Sequence, residues 1–119
     1  MLTLGTSGQI YLTRGDSCII PFEINQGTTL IPLTYELEGS DALYFGIMEP
    51  NQPFEQALVR KKFTAADMAN GVVNIKLSPT DTLCLLPGKY YYQIKLAIND
   101  HGSQIVNTLI PKTEFWIED

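Results

Sequence analysis

Hydrophobic and polar residues alternate along several short stretches of the chain, most clearly after Gly88. Apolar or aromatic residues occupy every second position there, in the order Tyr90, Tyr92, Ile94, Leu96 and Ile98. Successive side chains of a β-strand point to opposite faces. The period of two therefore predicts a strand with one face on a core and the other in water.

The same alternation predicts strands over residues 18–24, 43–47 and 73–77. Pro21 interrupts the first of these, and since proline has no backbone N–H, that strand is predicted to lie at a sheet edge or to bulge there. Near the C-terminus, residues 105–110 and 114–117 predict either one strand interrupted at Pro111 or two strands.

Turn-forming residues separate these runs, and helical periodicity is nearly absent. Residues 99–103 predict a hairpin tip, Thr64 begins one predicted helical turn, and Ser78 caps another, with Pro79 at its first position. Seven or eight short strands with one or two helical turns are typical of a sandwich or barrel. We predict an all-β fold, an immunoglobulin-like antiparallel β-sandwich, in a single domain over residues 1–119.

Composition narrows the possible partners. Of the 119 residues, 45% are hydrophobic and 18% charged, which is typical of a globular domain. Eight basic and thirteen acidic residues give a net charge of −5, which argues against a nucleic-acid partner. The only basic cluster, residues 60–62, is predicted to be a solvated strand end.

No stretch approaches the ~18 apolar residues of a membrane helix. The N-terminal Met1 without secretory-signal features favours a cytoplasmic product, unless a leader has been removed.

Two cysteines, Cys18 and Cys84, allow two interpretations. An immunoglobulin-type bridge would join one from each sheet. We favour two small buried thiols, because free cysteines are commonly buried and cytoplasmic proteins keep their thiols reduced.

The sequence contains no recognisable reactive centre. His101 is the only histidine, and its place in a predicted loop tip indicates a solvated turn residue rather than a base or metal ligand. No phosphate-binding, calcium or zinc motif is present. A pair of carboxylates meeting in space would be needed for a hydrolase. We therefore expect no enzyme, no metal and no cofactor.

The tripeptide Arg14-Gly15-Asp16 matches the integrin-binding motif, but it directly precedes an apolar strand. We predict an ordinary turn in which Gly15 adopts an unusual φ angle and Asp16 hydrogen-bonds nearby backbone.

Three apolar or aromatic residues lie on nominally outward strand faces and are candidates for an interface: Ile19, Tyr91 and Trp116. The alternative is that these positions are partly buried within the fold.

Ordered motifs across most of the chain suggest a family. Residues 13–17 (Thr-Arg-Gly-Asp-Ser) lead into a strand, residues 73–82 run from Val-Asn-Ile-Lys-Leu to a turn with Asp81 and Thr82, and residues 85–94 contain Leu-Leu-Pro-Gly-Lys-Tyr-Tyr-Tyr. The combination resembles immunoglobulin-like virion modules of phages that infect Gram-positive bacteria, in particular the N-terminal domain of the baseplate upper protein family. No functional residue carries over, because the shared motif marks the fold.

The resemblance implies a non-enzymatic component of a phage particle, such as a baseplate, tail, fibre or decoration protein. Its expected partners are other virion proteins and further copies of itself, and its expected location is the virion, or the host cytoplasm during assembly. The sequence stops at Asp119 without the long extension of the family, so we expect an isolated module, a piece of a longer protein, or a small decoration, head-fibre or connector protein. The alternative is a bacterial surface or secreted module that binds a carbohydrate or a host protein.

Overall fold

The computed structural model describes residues 2–4, 8–23, 25–27, 32–34, 37, 41–69, 72–100 and 103–119. Eleven strands lie within these ranges: β1 (Leu2–Leu4), β2 (Ile10–Thr13), β3 (Cys18–Glu23), β4 (Asn25–Gly27), β5 (Pro32–Thr34), β6 (Ala42–Met48), β7 (Val59–Phe63), β8 (Met68–Ala69), β9 (Val72–Leu77), β10 (Gly88–Asp100) and β11 (Ser103–Glu118). One α-helix, α1 (Pro79–Leu83), and two 3₁₀ turns, Phe54–Gln56 and Ala65–Asp67, complete the described elements. The mostly β composition is as predicted.

The strands form three sheets. A six-stranded sheet has the order β1-β2-β11-β10-β6-β7, a three-stranded sheet the order β3-β9-β8, and β4 pairs with β5 alone. The prediction of a wholly antiparallel arrangement is wrong, because β2 and β11 are parallel, with Phe115 opposite Ile10. Eleven strands exceed the predicted seven or eight, since β1, β4, β5 and β8 contain only two or three residues each and leave little periodicity to detect.

The six-stranded and three-stranded sheets contribute to one hydrophobic core. The alternating residues of β10 from Tyr90 to Leu96 are buried as predicted, and so are the inward sets of β6 and β9. On β3, Cys18 is buried and Ile20 and Phe22 are partly buried. Ile24 lies outside the described residues. Burying these apolar faces against one another is the main favourable term that the fold offers, at roughly 25 cal/mol per Å².

The two prolines within strands are accommodated differently. Among the described strands, β3 pairs with β9 alone, in continuous register from Cys18 to Glu23, so Pro21 lies on an edge strand without a bulge. Pro111 falls within a single strand, β11. The register with β10 shifts on either side of Ile94, which pairs with Ile110. The shift leaves extra residues on β11 without a partner on β10, so Pro111, which has no N–H, need not donate a hydrogen bond to the sheet.

Both predicted helical turns form, and in each the carboxylate of the third residue accepts a hydrogen bond from the backbone N–H of the capping residue. The Ser78 backbone N–H donates to the Asp81 Oδ2 at 2.8 Å, and the Thr64 N–H donates to the Asp67 Oδ2 at 2.9 Å. This is the returning half of a capping box. The turn after Thr64 ends at Asp67, because Met68 and Ala69 pair with β9 as strand β8.

The hairpin predicted at residues 99–103 is formed by β10 and β11, which pair up to Asp100 and Ser103. His101 and Gly102 lie outside the described residues.

Part of the outward face of the six-stranded sheet is covered by the loop between β6 and β7. The Phe54 ring packs directly over Gly46, and a Cβ added at Gly46 would lie 2.7 Å from the Phe54 Cε2 and 3.2 Å from the Ala57 Cβ. Phe54 is buried although it belongs to a loop. Lys95 and Arg60 lie over the Phe54 ring at 4.8 and 5.5 Å from its centroid. Glycine is therefore required at position 46 by the close approach of the ring.

We predict that Gly46→Ala destabilises the protein by about 1–3 kcal/mol, because the new methyl overlaps Phe54. Urea unfolding of the single variant and of the double variant Gly46→Ala/Phe54→Leu measures this. The double variant should lose less than the sum of the two single changes, since the smaller side chain relieves the overlap. Additive losses would contradict the steric explanation.

Candidate interaction surface

Two of the three predicted interface residues, Tyr91 and Trp116, lie close together on the outward face of the six-stranded sheet. Trp116 of β11 is opposite Lys89 of β10 on one side and opposite Tyr11 of β2 on the other. Tyr91 is opposite Glu114. Residues directly opposite one another on adjacent strands share a face. The five residues Tyr11, Lys89, Tyr91, Glu114 and Trp116 therefore form one surface, here called the aromatic surface.

The aromatic surface is organised around the ammonium group of Lys89. Its Nζ lies 5.5 Å from the centroid of the Tyr91 ring and 5.8 Å from that of the Trp116 ring, and 3.6 Å from the Glu114 Oε1. The rings of Tyr11 and Trp116 are stacked, with centroids 6.4 Å apart and planes inclined by 10°. Hydrogen bonding and charge interaction with Tyr91, and the nearby Glu114 carboxylate, raise the pKa of Lys89.

This surface combines large aromatic area with one cation and one anion. Tyrosine and tryptophan are enriched in protein interfaces because they offer apolar contact area with few rotatable bonds. Tyr11, Tyr91 and Trp116 are each only partly exposed. Their half-burial also agrees with the alternative that the fold itself covers such positions in part. The sequence analysis missed Tyr11, Lys89 and Glu114, since only the strand pairing places them beside Trp116 and Tyr91.

Ile19, the third predicted residue, lies elsewhere. It belongs to β3 in the three-stranded sheet, opposite Lys76 of β9, and 56% of its surface is exposed. Ile19 points outward as predicted, but on a different sheet from Tyr91 and Trp116. Other large apolar residues are also exposed, among them Leu83 at 50% and Leu86 at 71%, on either side of the buried Leu85. The alternation pattern does not predict these two, because they lie in and after a short helix.

The basic run at residues 60–62 is divided between the two faces of edge strand β7. Arg60 faces outward over Phe54, whereas Lys61 turns toward α1 and forms an ion pair with Asp81, Nζ to Oδ2 2.9 Å. Consecutive residues of a strand point to opposite faces, so three basic residues in a row do not make one basic patch. Lysine and arginine on an edge strand also disfavour pairing with another chain.

The Arg14-Gly15-Asp16 turn packs against α1. The Gly15 N–H donates to the Thr82 Oγ1 at 2.9 Å, and the Arg14 Nη2 donates to the Leu83 carbonyl at 2.8 Å. Thr82 is fully buried, and its hydroxyl lies 3.3 Å from the Asp16 carbonyl. Gly15 has φ +85°, as the turn prediction required. These contacts give the tripeptide a structural role in joining the β2–β3 turn to α1.

The two cysteines are free thiols with different environments. Cys18 is buried, as predicted, and its burial raises the pKa of its thiol. The prediction that both are buried is wrong for Cys84, which is exposed. Cys84 directly follows α1, where its Sγ donates to the Asp81 carbonyl at 3.1 Å.

Other kinds of site find no support within the described residues. No group of three or more His, Cys, Asp or Glu side chains there is arranged to hold a metal ion. His101 lies outside them. In the same part of the chain, no helix has the length and apolar character needed to cross a bilayer. Comparison of the chain with protein-family models, with curated proteins and with solved structures found no match.

The Thr82 hydroxyl gives a direct test of the turn. Thr82→Val should destabilise the protein by about 1–3 kcal/mol, because the Gly15 N–H loses its acceptor. The Gly15 amide should also exchange with solvent faster, as amide hydrogen exchange followed by NMR would show. Thr82→Ser is the control, because it keeps the hydroxyl. Unchanged Gly15 exchange in Thr82→Val would contradict the assignment.

Asp81 predicts a pH dependence of stability. Its partial burial alone would raise the pKa, but hydrogen bonds from Lys61 and Ser78 outweigh burial and hold the pKa of Asp81 below its ordinary value. A carboxyl whose pKa is lower in the folded state stabilises the protein above the unfolded-state pKa of about 3.9, and this contribution is lost as the pH falls through the folded pKa. Urea unfolding of the wild type and of Asp81→Asn between about pH 7 and pH 2 should show a stability difference that shrinks in acid. A difference independent of pH would contradict this.

Proposed function

We propose that the chain is an immunoglobulin-like module, and strand order is the observation that supports this best. Immunoglobulin domains place strands B, E and D in one sheet and G, F and C in the other, and variable-type domains add C′ beside C. The sheet β3-β9-β8 has the order B-E-D, and β11-β10-β6-β7 has the order G-F-C-C′. The strands also follow one another along the chain in the immunoglobulin order: β3, β6, β7, β8, β9, β10 and β11 correspond to B, C, C′, D, E, F and G.

A hydrogen bond at the start of β10 supports the same proposal. The Tyr90 hydroxyl donates to the Leu86 carbonyl at 2.7 Å, four residues earlier. A tyrosine near the start of strand F, bonded to backbone a few residues upstream, is the tyrosine corner of immunoglobulin domains. In antibody domains, the residue two positions after this tyrosine is a cysteine that forms a disulfide with a cysteine of strand B. Tyr92 occupies that position here, and its ring packs against Phe45 of β6 at a centroid distance of 5.7 Å.

As its function we propose a non-enzymatic structural role in a phage particle, carried out through protein–protein contacts. The aromatic surface is the contact region that we propose, because Tyr11, Tyr91 and Trp116 give it apolar area and Lys89 with Glu114 gives it both charges. The resemblance of the sequence motifs to phage virion modules supports the phage assignment, and the partners proposed are other virion proteins and further copies of the chain. The proposed location is the virion, or the host cytoplasm during assembly.

The alternative is a secreted module that binds a carbohydrate or a host protein, and an oxidised pair of Cys18 and Cys84 would support it. Two free thiols, one buried and one exposed, favour the first proposal over this alternative.

The test compares two charge reversals in cells that produce the phage particle. Purified particles should contain the tagged wild-type chain by mass spectrometry. Lys89→Glu should reduce incorporation at least about tenfold, because it reverses the charge around which the aromatic surface is organised. A tenfold reduction in affinity corresponds to a loss of roughly 1.4 kcal/mol of binding. Lys76→Glu is the matched control, since it makes the same charge change on the other sheet. Circular dichroism of both variants checks folding.

Two outcomes would overturn the proposal. Absence of the wild-type chain from particles, with recovery from the cell envelope, would favour the secreted alternative. Equal incorporation of Lys89→Glu and Lys76→Glu would show that the aromatic surface is not part of the contact.

A further inference from the structure

A cavity of about 200 Å³ lies between the two larger sheets. Its lining comes from both: β3 and β9 contribute Ile20, Phe22 and Ile75, and the six-stranded sheet contributes Ile10, Phe45, Tyr92, Ile94 and Ile110. Protein cores are packed as tightly as organic crystals, with few voids larger than a water molecule. An opening of this size is therefore a feature to explain.

The lining offers water almost nothing to bind. Five isoleucines and two phenylalanines make up most of it, and the polar atoms at Tyr92 and Gly8 satisfy each other, since the Tyr92 hydroxyl donates to the Gly8 carbonyl at 2.7 Å. No buried side-chain nitrogen or oxygen in the described part of the chain lacks a hydrogen-bond partner. A buried water usually needs two to four polar partners. The chemistry of the cavity therefore favours an apolar occupant.

The cavity is closed on one side by buried residues and open on another. Ile10, Phe45, Ile75 and Ile94 are buried and form the floor. Ile20, Phe22 and Ile110 are partly exposed and lie on its open side. Two of them, Ile20 and Phe22, belong to β3, an edge strand of its sheet.

We propose that this inter-sheet cavity is a binding site for a small apolar molecule containing one aromatic ring. A cavity of about 150 Å³ lined by Leu, Ile and Phe binds benzene or xenon, so 200 Å³ accommodates a ring with a short substituent. Burial of the ligand's apolar surface supplies the affinity, and the Tyr92 ring in the wall adds an aromatic contact. The inference does not rest on the proposed function.

Isoleucine methyl NMR with toluene as the probe tests this proposal. Toluene should shift the methyl signals of the five lining isoleucines, Ile10, Ile20, Ile75, Ile94 and Ile110. The signals of Ile19 and Ile117 should not move, because these residues lie outside the cavity lining. The melting temperature should rise by roughly 5 °C when toluene is present at about ten times its Kd.

A matched pair of variants on β3 completes the test. Ile20→Trp fills the cavity and should abolish both the methyl shifts and the rise in melting temperature. Ile19→Trp adds the same side chain one position earlier, on the exposed face, and should leave both unchanged. The methyl titration of the wild type decides the matter alone if Ile20→Trp does not fold. The proposal is overturned by an absence of methyl shifts in saturating toluene, by equal shifts at Ile19 and Ile117, or by a full response in a folded Ile20→Trp.

Discussion

The contact on which the structure most depends is the packing of Phe45, Tyr92 and Phe115 at the centre of the six-stranded sheet. These rings come from β6, β10 and β11, with Tyr92 at centroid distances of 5.7 Å from Phe45 and 6.2 Å from Phe115. Both phenylalanines are fully buried. Such pairs contribute about 0.5–1.5 kcal/mol beyond the burial of their area. The Tyr92 hydroxyl also binds the Gly8 carbonyl just before β2, so one side chain holds four parts of the chain together.

A second set of contacts joins the segments at one end of the molecule. Thr82 binds the β2–β3 turn, and Asp81, its neighbour on α1, binds Lys61 of β7. Two adjacent residues of a five-residue helix therefore connect the β2–β3 turn and edge strand β7 to the segment that leads into β10. A helix this short has little stability of its own. Its position depends on these side-chain contacts, and in return it orders the Arg14-Gly15-Asp16 turn.

The outward face of the six-stranded sheet is divided into a covered part and an open part. In the covered part, Phe54 packs over Gly46, and Lys95 and Arg60 lie over the Phe54 ring. The open part carries Tyr11, Trp116 and Tyr91 around Lys89. The contact that we propose uses this open part, whereas the inter-sheet cavity opens along β3. The two proposals therefore concern separate regions and can fail independently.

The sequence by itself determined the local features: the buried faces of β6, β9 and β10, the cap at Ser78, the turn at Gly15, and the restriction of Pro21 to an edge or a bulge. Each follows from neighbouring residues, through side-chain alternation or backbone preference. Only the tertiary structure decided which distant residues meet. It placed Tyr11 beside Trp116 through the parallel pairing of β2 and β11, put Ile19 on a different sheet from Tyr91 and Trp116, and left Cys84 exposed. It also brought Phe54 over Gly46 and opened the cavity, because strand order and packing across sheets depend on contacts far apart in sequence.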